Sequence, residues 1–517
     1  MAFADLVVVL SVLLALVGSL LNLRWVRVGY TVFLVGVMAL FVKAVLILFH
    51  LSGFFGVTAV QAVFIASLCV VWATATTHVL ASGKSRDFKS LFAVWVSLFY
   101  VLVLLAILSA SGTLHAVLVD ACVITLIAII VASRGHRPHG LGRFVAAVLL
   151  PASLLIHTSS VVGVELSASG LKVIVPLLGY AVLAAIVPVH PWFLRVVTER
   201  DDVFTITAAV SVVYLGYFGM TLRLSEVASG VWLWALGMLG LVTLFYASSH
   251  AFTRRDLGGR IAYYVSTTTG FFLFFTSALA LHRSSLTLPV AVLLGAGSVM
   301  FVPAVIPSHA RQSGSGAGST LTSTLSSMLV LLLVSSTFPS LNLVGRALLA
   351  VVFLGLQPPI AASVLALLVL SVGLASATVA GSLRFKVMRP RTAFTLPLLM
   401  NALLTLTLFY CALTWLLNSL TLSATQLVMW LILMGLTSGF SAWLVAWHEA
   451  LGIFLERMFK RFPMALTGLE REFRYVAARV VESLEVIETE EKFLATLSLL
   501  ILLAAIVATV FLGGVAP

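Results

Sequence analysis

The sequence predicts an all-α fold, a polytopic transmembrane bundle of about sixteen helices, each apolar run being long enough to cross ~30 Å of hydrocarbon. Composition points there first: of 517 residues, 61% are hydrophobic and only 9% charged. A soluble domain carries about 25% charged residues, so this chain cannot build a polar skin. The basic residues then alternate along the chain. All but Lys43, Lys172, Arg223, Arg283 and Arg346 fall in every second loop or before the last apolar run.

The runs, in order, are 4–23, 28–49, 58–81, 90–111, 114–133, 144–164, 171–194, 203–222, 229–250, 261–281, 286–307, 320–338, 358–383, 393–418, 424–448 and 492–513. A shorter run at 343–356 reads as a half-helix. In lipid every backbone polar group needs an internal partner, so these runs are helices; they are too long and too uniformly apolar for barrel strands. The first run lacks a basic leading region and a small-residue cleavage site, so it reads as a retained helix.

Loops such as Lys84/Arg86/Lys89, Arg134/Arg137/Arg143 and Arg384/Lys386/Arg389/Arg391 would be cytoplasmic by the positive-inside rule, with both termini outside a cell membrane. The net charge of +12 is then topological and gives no reason to expect nucleic acid. Cys69, Cys122 and Cys411 sit in separate runs and suggest neither a metal site nor a disulfide framework. No cofactor, metal or catalytic motif is expected: there is no phosphate-binding loop, dinucleotide fingerprint or nucleophile elbow.

Residues 450–490 differ. Leu469, Phe473, Val476, Val480, Leu484 and Ile487 recur at helical spacing among Glu470, Arg471, Glu472 and Arg474. That pattern predicts an amphipathic helix on the membrane surface or against neighbouring helices. The expected organisation is 1–89 N-terminal helices, a 90–390 core, 391–449 further helices, the 450–490 surface helix and a last membrane helix within 491–517.

Two runs look broken. Pro188 and Pro191 interrupt 171–194, and Gln357-Pro358-Pro359 splits the stretch from 343 to 383. Proline removes a donor and clashes one turn back, freeing carbonyls at membrane depth. Such carbonyls line a cavity or meet other protein groups. Broken helices in corresponding halves point to inverted repeats and a transport pathway.

Asp120 is the sharpest ionisable candidate, flanked by Val117, Leu118, Val119, Ala121 and Cys122. Hydrocarbon disfavours the charged form, so a carboxyl there could take and release a proton. The alternative is an interfacial Asp near a helix end. Lys43 can snorkel to the surface. His50, His78, His157, His190, His250 and His448 sit in or near the ends of runs, where a lone His is more often a packing residue than a relay. Tyr180, Tyr263, Tyr264 and Thr267–Thr269 could hold waters in the core.

Several pieces together resemble the antiporter-like proton-translocating subunits of respiratory complex I, membrane-bound hydrogenases and Mrp-type antiporters. Ile186-Val-Pro-Val-His-Pro-Trp-Phe-Leu194 resembles the family's FPFHxWLPDA segment, with Pro188, His190 and Trp192 in place. Asp256-Leu-Gly-Gly-Arg-Ile-Ala-Tyr263 resembles DxKRxLAYSTISQxG, and Leu294-Gly-Ala-Gly-Ser-Val299 resembles FLGAGSV. Thr378 and Arg384 resemble TAFYxxR, and Arg346 falls where GFFSK puts its Lys.

The resemblance implies a membrane subunit of an energy-converting complex, with other membrane subunits as partners and redox chemistry carried out elsewhere. It implies Asp120 in place of the family's Glu. It also implies roles in proton transfer for His190, His157 and Tyr180, in gating for Pro188 and Pro191, and in electrostatic bias for Arg346, Arg384 and Asp256. The family's Lys and His positions hold Leu183, Ala208 and Pro289 instead, and its charged loop has Gly258 and Gly259. Either other groups carry protons, or the subunit is a scaffold that no longer conducts. A stand-alone ion-coupled transporter is the third possibility.

Overall fold

The computed structural model describes residues 2–303, apart from 23–24, 50–57, 83–90, 110–111, 134–138, 162–170, 201, 225–226, 228–229, 255 and 282–286. Beyond these it describes 344–346, 348, 392–419, 428, 432 and 435. The expected runs 320–338, 358–383 and 492–513, most of 343–356 and 424–448, the 450–490 helix, and Gln357, Pro358 and Arg384 lie outside the described residues.

The described elements are all helical. They are α1 (Ala2–Asn22), α2 (Val26–Leu48), α3 (Ala59–Ser82), α4 (Leu91–Ser109), α5 (Gly112–Ala132) and α6 (His139–Val161). Next come α7 (Leu171–Leu183), α8 (Pro191–Glu199), α9 (Val203–Leu224), α10 (Gly230–Thr253), α11 (Leu257–Leu281), α12 (Thr287–Gly297) and α13 (Thr392–Ser419). Among the described residues, 9 helices are long and apolar enough to cross a membrane.

Helix starts follow their side chains. At α3, Thr58 N–H donates to Gln61 Oε1 (2.8 Å) while Thr58 Oγ1 accepts from Gln61 N–H (3.3 Å), a reciprocal cap. Asp202 Oδ1 accepts from Thr205 N–H at 2.6 Å at the start of α9. α6 begins at His139, so Arg143, expected in the preceding loop, lies inside the helix.

α9 is the axis of the bundle. Val203–Thr221 is buried without interruption, and α9 packs against α3, α4, α5, α7 and α12. Gly216 makes this approach possible: a Cβ there would lie 2.6 Å from Ala184 N and 2.7 Å from Tyr180 O, both backbone atoms.

The expected run 171–194 is indeed broken. α7 ends at Leu183, turns follow through His190, and α8 continues to Glu199, beyond the expected end. The stop is a paired C-cap: Ile186 N–H donates to Ala181 O (3.1 Å) and Ala185 N–H to Val182 O (3.0 Å). The motif needs a left-handed residue, and Ala185 supplies it at φ 60. α12 corrects the expected run 286–307. It stops at Gly297, and residues 298–301 form bends and turns.

Candidate functional site

Both interruptions leave backbone carbonyls without helical partners, and side chains supply donors. Trp192 Nε1 donates to Val182 O (3.1 Å) and Thr269 Oγ1 to Ala184 O (2.5 Å) at the first break. At the second, Tyr214 OH donates to Ala296 O (2.9 Å) and Asn401 Nδ2 to Met300 O (2.9 Å). These carbonyls therefore meet protein donors at membrane depth. Thr267 and Thr268 bond to the carbonyls of Tyr263 and Val265, and Tyr217 OH meets Thr268 and Thr269. Thr267, Thr268 and Thr269 thus each bond to protein groups.

Leu183, the last residue of α7, and Ala208 on α9 are apolar and both at 0% exposure. The positions at which the resembled family carries a Lys and a His thus hold buried apolar side chains.

Asp120 and His157 come together. Asp120 sits on α5 and His157 on the facing α6, and Nε2 of the imidazole meets Oδ2 of the carboxyl in a hydrogen bond. An imidazole and a carboxyl so placed are groups between which a proton can be exchanged. The second oxygen, Oδ1, is buried and meets no donor among the described residues. The pair is not central: each side chain keeps 23% of its surface accessible.

Tyr180 and His190 are not part of this pair. Tyr180 is buried beside His115, their ring centroids 5.9 Å apart. His190 is buried at the start of α8, between Tyr246 (5.8 Å) and Tyr263 (5.2 Å). Tyr246 in turn stacks on His250 at 4.1 Å, and Arg254 lies 5.6 Å from the Tyr263 ring. Pro191 opens α8 as its first residue, and Pro188 lies in the turn before it.

Asp256 is an exposed helix cap: its Oδ2 accepts from Gly259 N–H at 2.6 Å. Arg346 is buried, its guanidinium 5.0 Å from the centroid of Phe271 and bonded to Tyr264. Sequence reasoning missed His115, whose Nδ1 lies 2.7 Å from Ala106 O. It also missed Arg200, which donates to Ser133 O (3.0 Å) and Ile130 O (2.9 Å) at the end of α5. His115 falls in the same apolar run five residues before Asp120, a cue available in the sequence. Arg200 carried no such cue.

No protein-family model and no curated protein matches the sequence. Solved structures do match its fold. The structure of the Mrp complex from Dietzia sp. DQ12-45-1b aligns with a TM-score of 0.63 at 18% identity, covering 99% of this chain and 63% of that one. The chain thus spans under two thirds of the Mrp chain's length. Respiratory complex I from Thermus thermophilus with bound NADH aligns with a TM-score of 0.56 at 17% identity, covering 85% of this chain and 99% of that one. The chain has the antiporter-like membrane fold that these complexes share.

Proposed function

We propose that this chain is an antiporter-like membrane subunit of a multi-subunit, energy-converting assembly, in which the Asp120–His157 pair accepts and releases protons. The observation that carries this reading is the pair itself. A carboxyl in an apolar helix meets a titratable imidazole on the next helix, and either group can hold the shared proton. Sodium is the alternative ion. Redox chemistry belongs to other subunits; this chain would sit in the cell membrane with its N-terminus outside and its basic loops in the cytoplasm.

His190, with Pro188 and Pro191, would gate access at the first break, and Arg346 would bias protonation from within the bundle. The test is Asp120→Asn in the intact assembly, reconstituted into vesicles. Turnover-driven proton movement should be lost while the assembly stays whole. Unchanged pumping would remove Asp120 from the mechanism.

A second reading has its own support. Leu183 and Ala208 are fully buried, and side chains seal both helix breaks. This is what a scaffold with the same fold but no conduction would look like. Proton leak through the chain, measured with the redox partners inhibited, separates the two readings.

A further inference from the structure

We propose that Arg346 holds a small monovalent anion, a halide such as chloride, inside the helix bundle. The proposal goes beyond the Asp120–His157 pair and does not depend on it. It rests on a buried cation for which the surrounding chain supplies no negative charge.

Arg346 belongs to the short helical piece 344–346 and is 4% exposed. Gly345 seats that piece on α12: a Cβ there would lie 3.1 Å from side-chain atoms of both Leu293 and Leu294. The guanidinium is bonded to Tyr264 and lies 5.0 Å from the centroid of Phe271. Its Nε and Nη1 are buried and meet no acceptor among the described residues.

A guanidinium stays charged at physiological pH, so burial leaves it needing negative charge as well as acceptors. The sequence around it offers none: from 257 to 448 there is no Asp or Glu. α3, α9 and α11, which pack on α12, contain no acid either. The carbonyls at the end of α12 have other donors. Gly295 O, Ala296 O and Met300 O accept from Ser298, Tyr214 and Asn401. The Phe271 ring attracts the cation but gives neither nitrogen an acceptor.

Three occupants could supply what is missing. Ordered water accepts from both nitrogens yet leaves the charge unbalanced in a low-dielectric interior. A lipid phosphate needs a path from outside, and the burial of Arg346 closes it. A monovalent anion supplies both an acceptor and a balancing charge. The surroundings favour a halide. Phe271 lies against the guanidinium, and Leu293 and Leu294 lie against Gly345. Such apolar groups cannot replace the water around sulfate or phosphate, whereas a halide is more easily dehydrated. The Tyr264 hydroxyl stands beside the guanidinium as a second polar group.

The test uses the chain in its intact assembly, purified with gluconate as the only small anion. Uptake of radioactive chloride is measured by equilibrium dialysis for the unsubstituted chain and for Arg346→Gln. The expected result is saturable uptake that falls by one chloride per copy of the chain in Arg346→Gln. Crystals of the unsubstituted assembly soaked in bromide should show an anomalous-scattering peak beside Arg346. That arm needs no variant, so it decides the matter even where Arg346→Gln fails to assemble. Equal chloride uptake with and without the substitution, or no bromide at Arg346 under saturating bromide, would overturn the proposal and leave water as the partner. Neither readout measures proton movement, so the outcome with Asp120→Asn bears on the proposed function alone.

Discussion

Replacing Thr269 by Val tests whether protein donors hold the first helix break closed. Thr269 Oγ1 donates to Ala184 O at 2.5 Å and meets Tyr217 OH at 2.9 Å. Valine keeps the shape of the side chain, so no cavity opens and the hydroxyl alone is lost. Ala184 O then has no donor from Thr269, while Tyr217 keeps Thr268 at 3.1 Å. One orphaned buried carbonyl costs about 1–3 kcal/mol in soluble proteins. Side-chain hydrogen bonds in a membrane protein average about 0.6 and reach about 1.7 kcal/mol. The expected loss is therefore about 1–2 kcal/mol, roughly a 5- to 30-fold drop in the folded-to-unfolded ratio. The assay is reversible unfolding by denaturing detergent in mixed micelles. Thr407→Val is the control, because that hydroxyl is exposed and donates within its own helix, to Leu403 O. Equal stability of Thr269→Val and Thr407→Val would refute the claim that Thr269 seals the break.

Other perturbations follow from the same geometry. Ala185→Gly should stabilise the chain by about 0.5–1 kcal/mol, because a left-handed alanine costs about 1–2 kcal/mol and glycine's entropy offsets part of the gain; the same detergent titration reads the shift. Gly216→Ala should destabilise by about 1–3 kcal/mol, since its methyl would press on the backbone at Tyr180 and Ala184; a neutral result would mean that α7 and α9 can separate freely. Arg200→Gln should cost about 1.5–3 kcal/mol by removing charge-assisted bonds to Ser133 O and Ile130 O, and hydrogen exchange should rise at the end of α5 and not in α10.

Much of the fold was legible because spanning helices need long apolar runs, and described helices from α2 to α5 start and end within about two residues of those runs, the usual uncertainty of a helix boundary. The break after Leu183 was legible from Pro188. The one after Gly297 was not: Gly295-Ala-Gly297 also suits close helix packing, and only tertiary donors, Tyr214 and Asn401, make a stop there tolerable. Asp120 stood out as the lone acid in its run. Its partner did not, because His157 lies 37 residues away and reaches it through the pairing of α5 with α6. Which way Asp120 faces was also hidden. In a soluble helix the apolar stripe marks the core, but here core and outer faces are both aliphatic, so the pattern carries no direction.

Carboxyl infrared spectroscopy of the working assembly reports on Asp120 most directly. With aspartate labelled by carbon-13, turnover should produce a protonated-carboxyl band that rises and decays with the catalytic cycle, is absent in Asp120→Asn and shifts in His157→Gln. A turnover spectrum that is the same in the unsubstituted chain and in Asp120→Asn would contradict proton exchange at this pair.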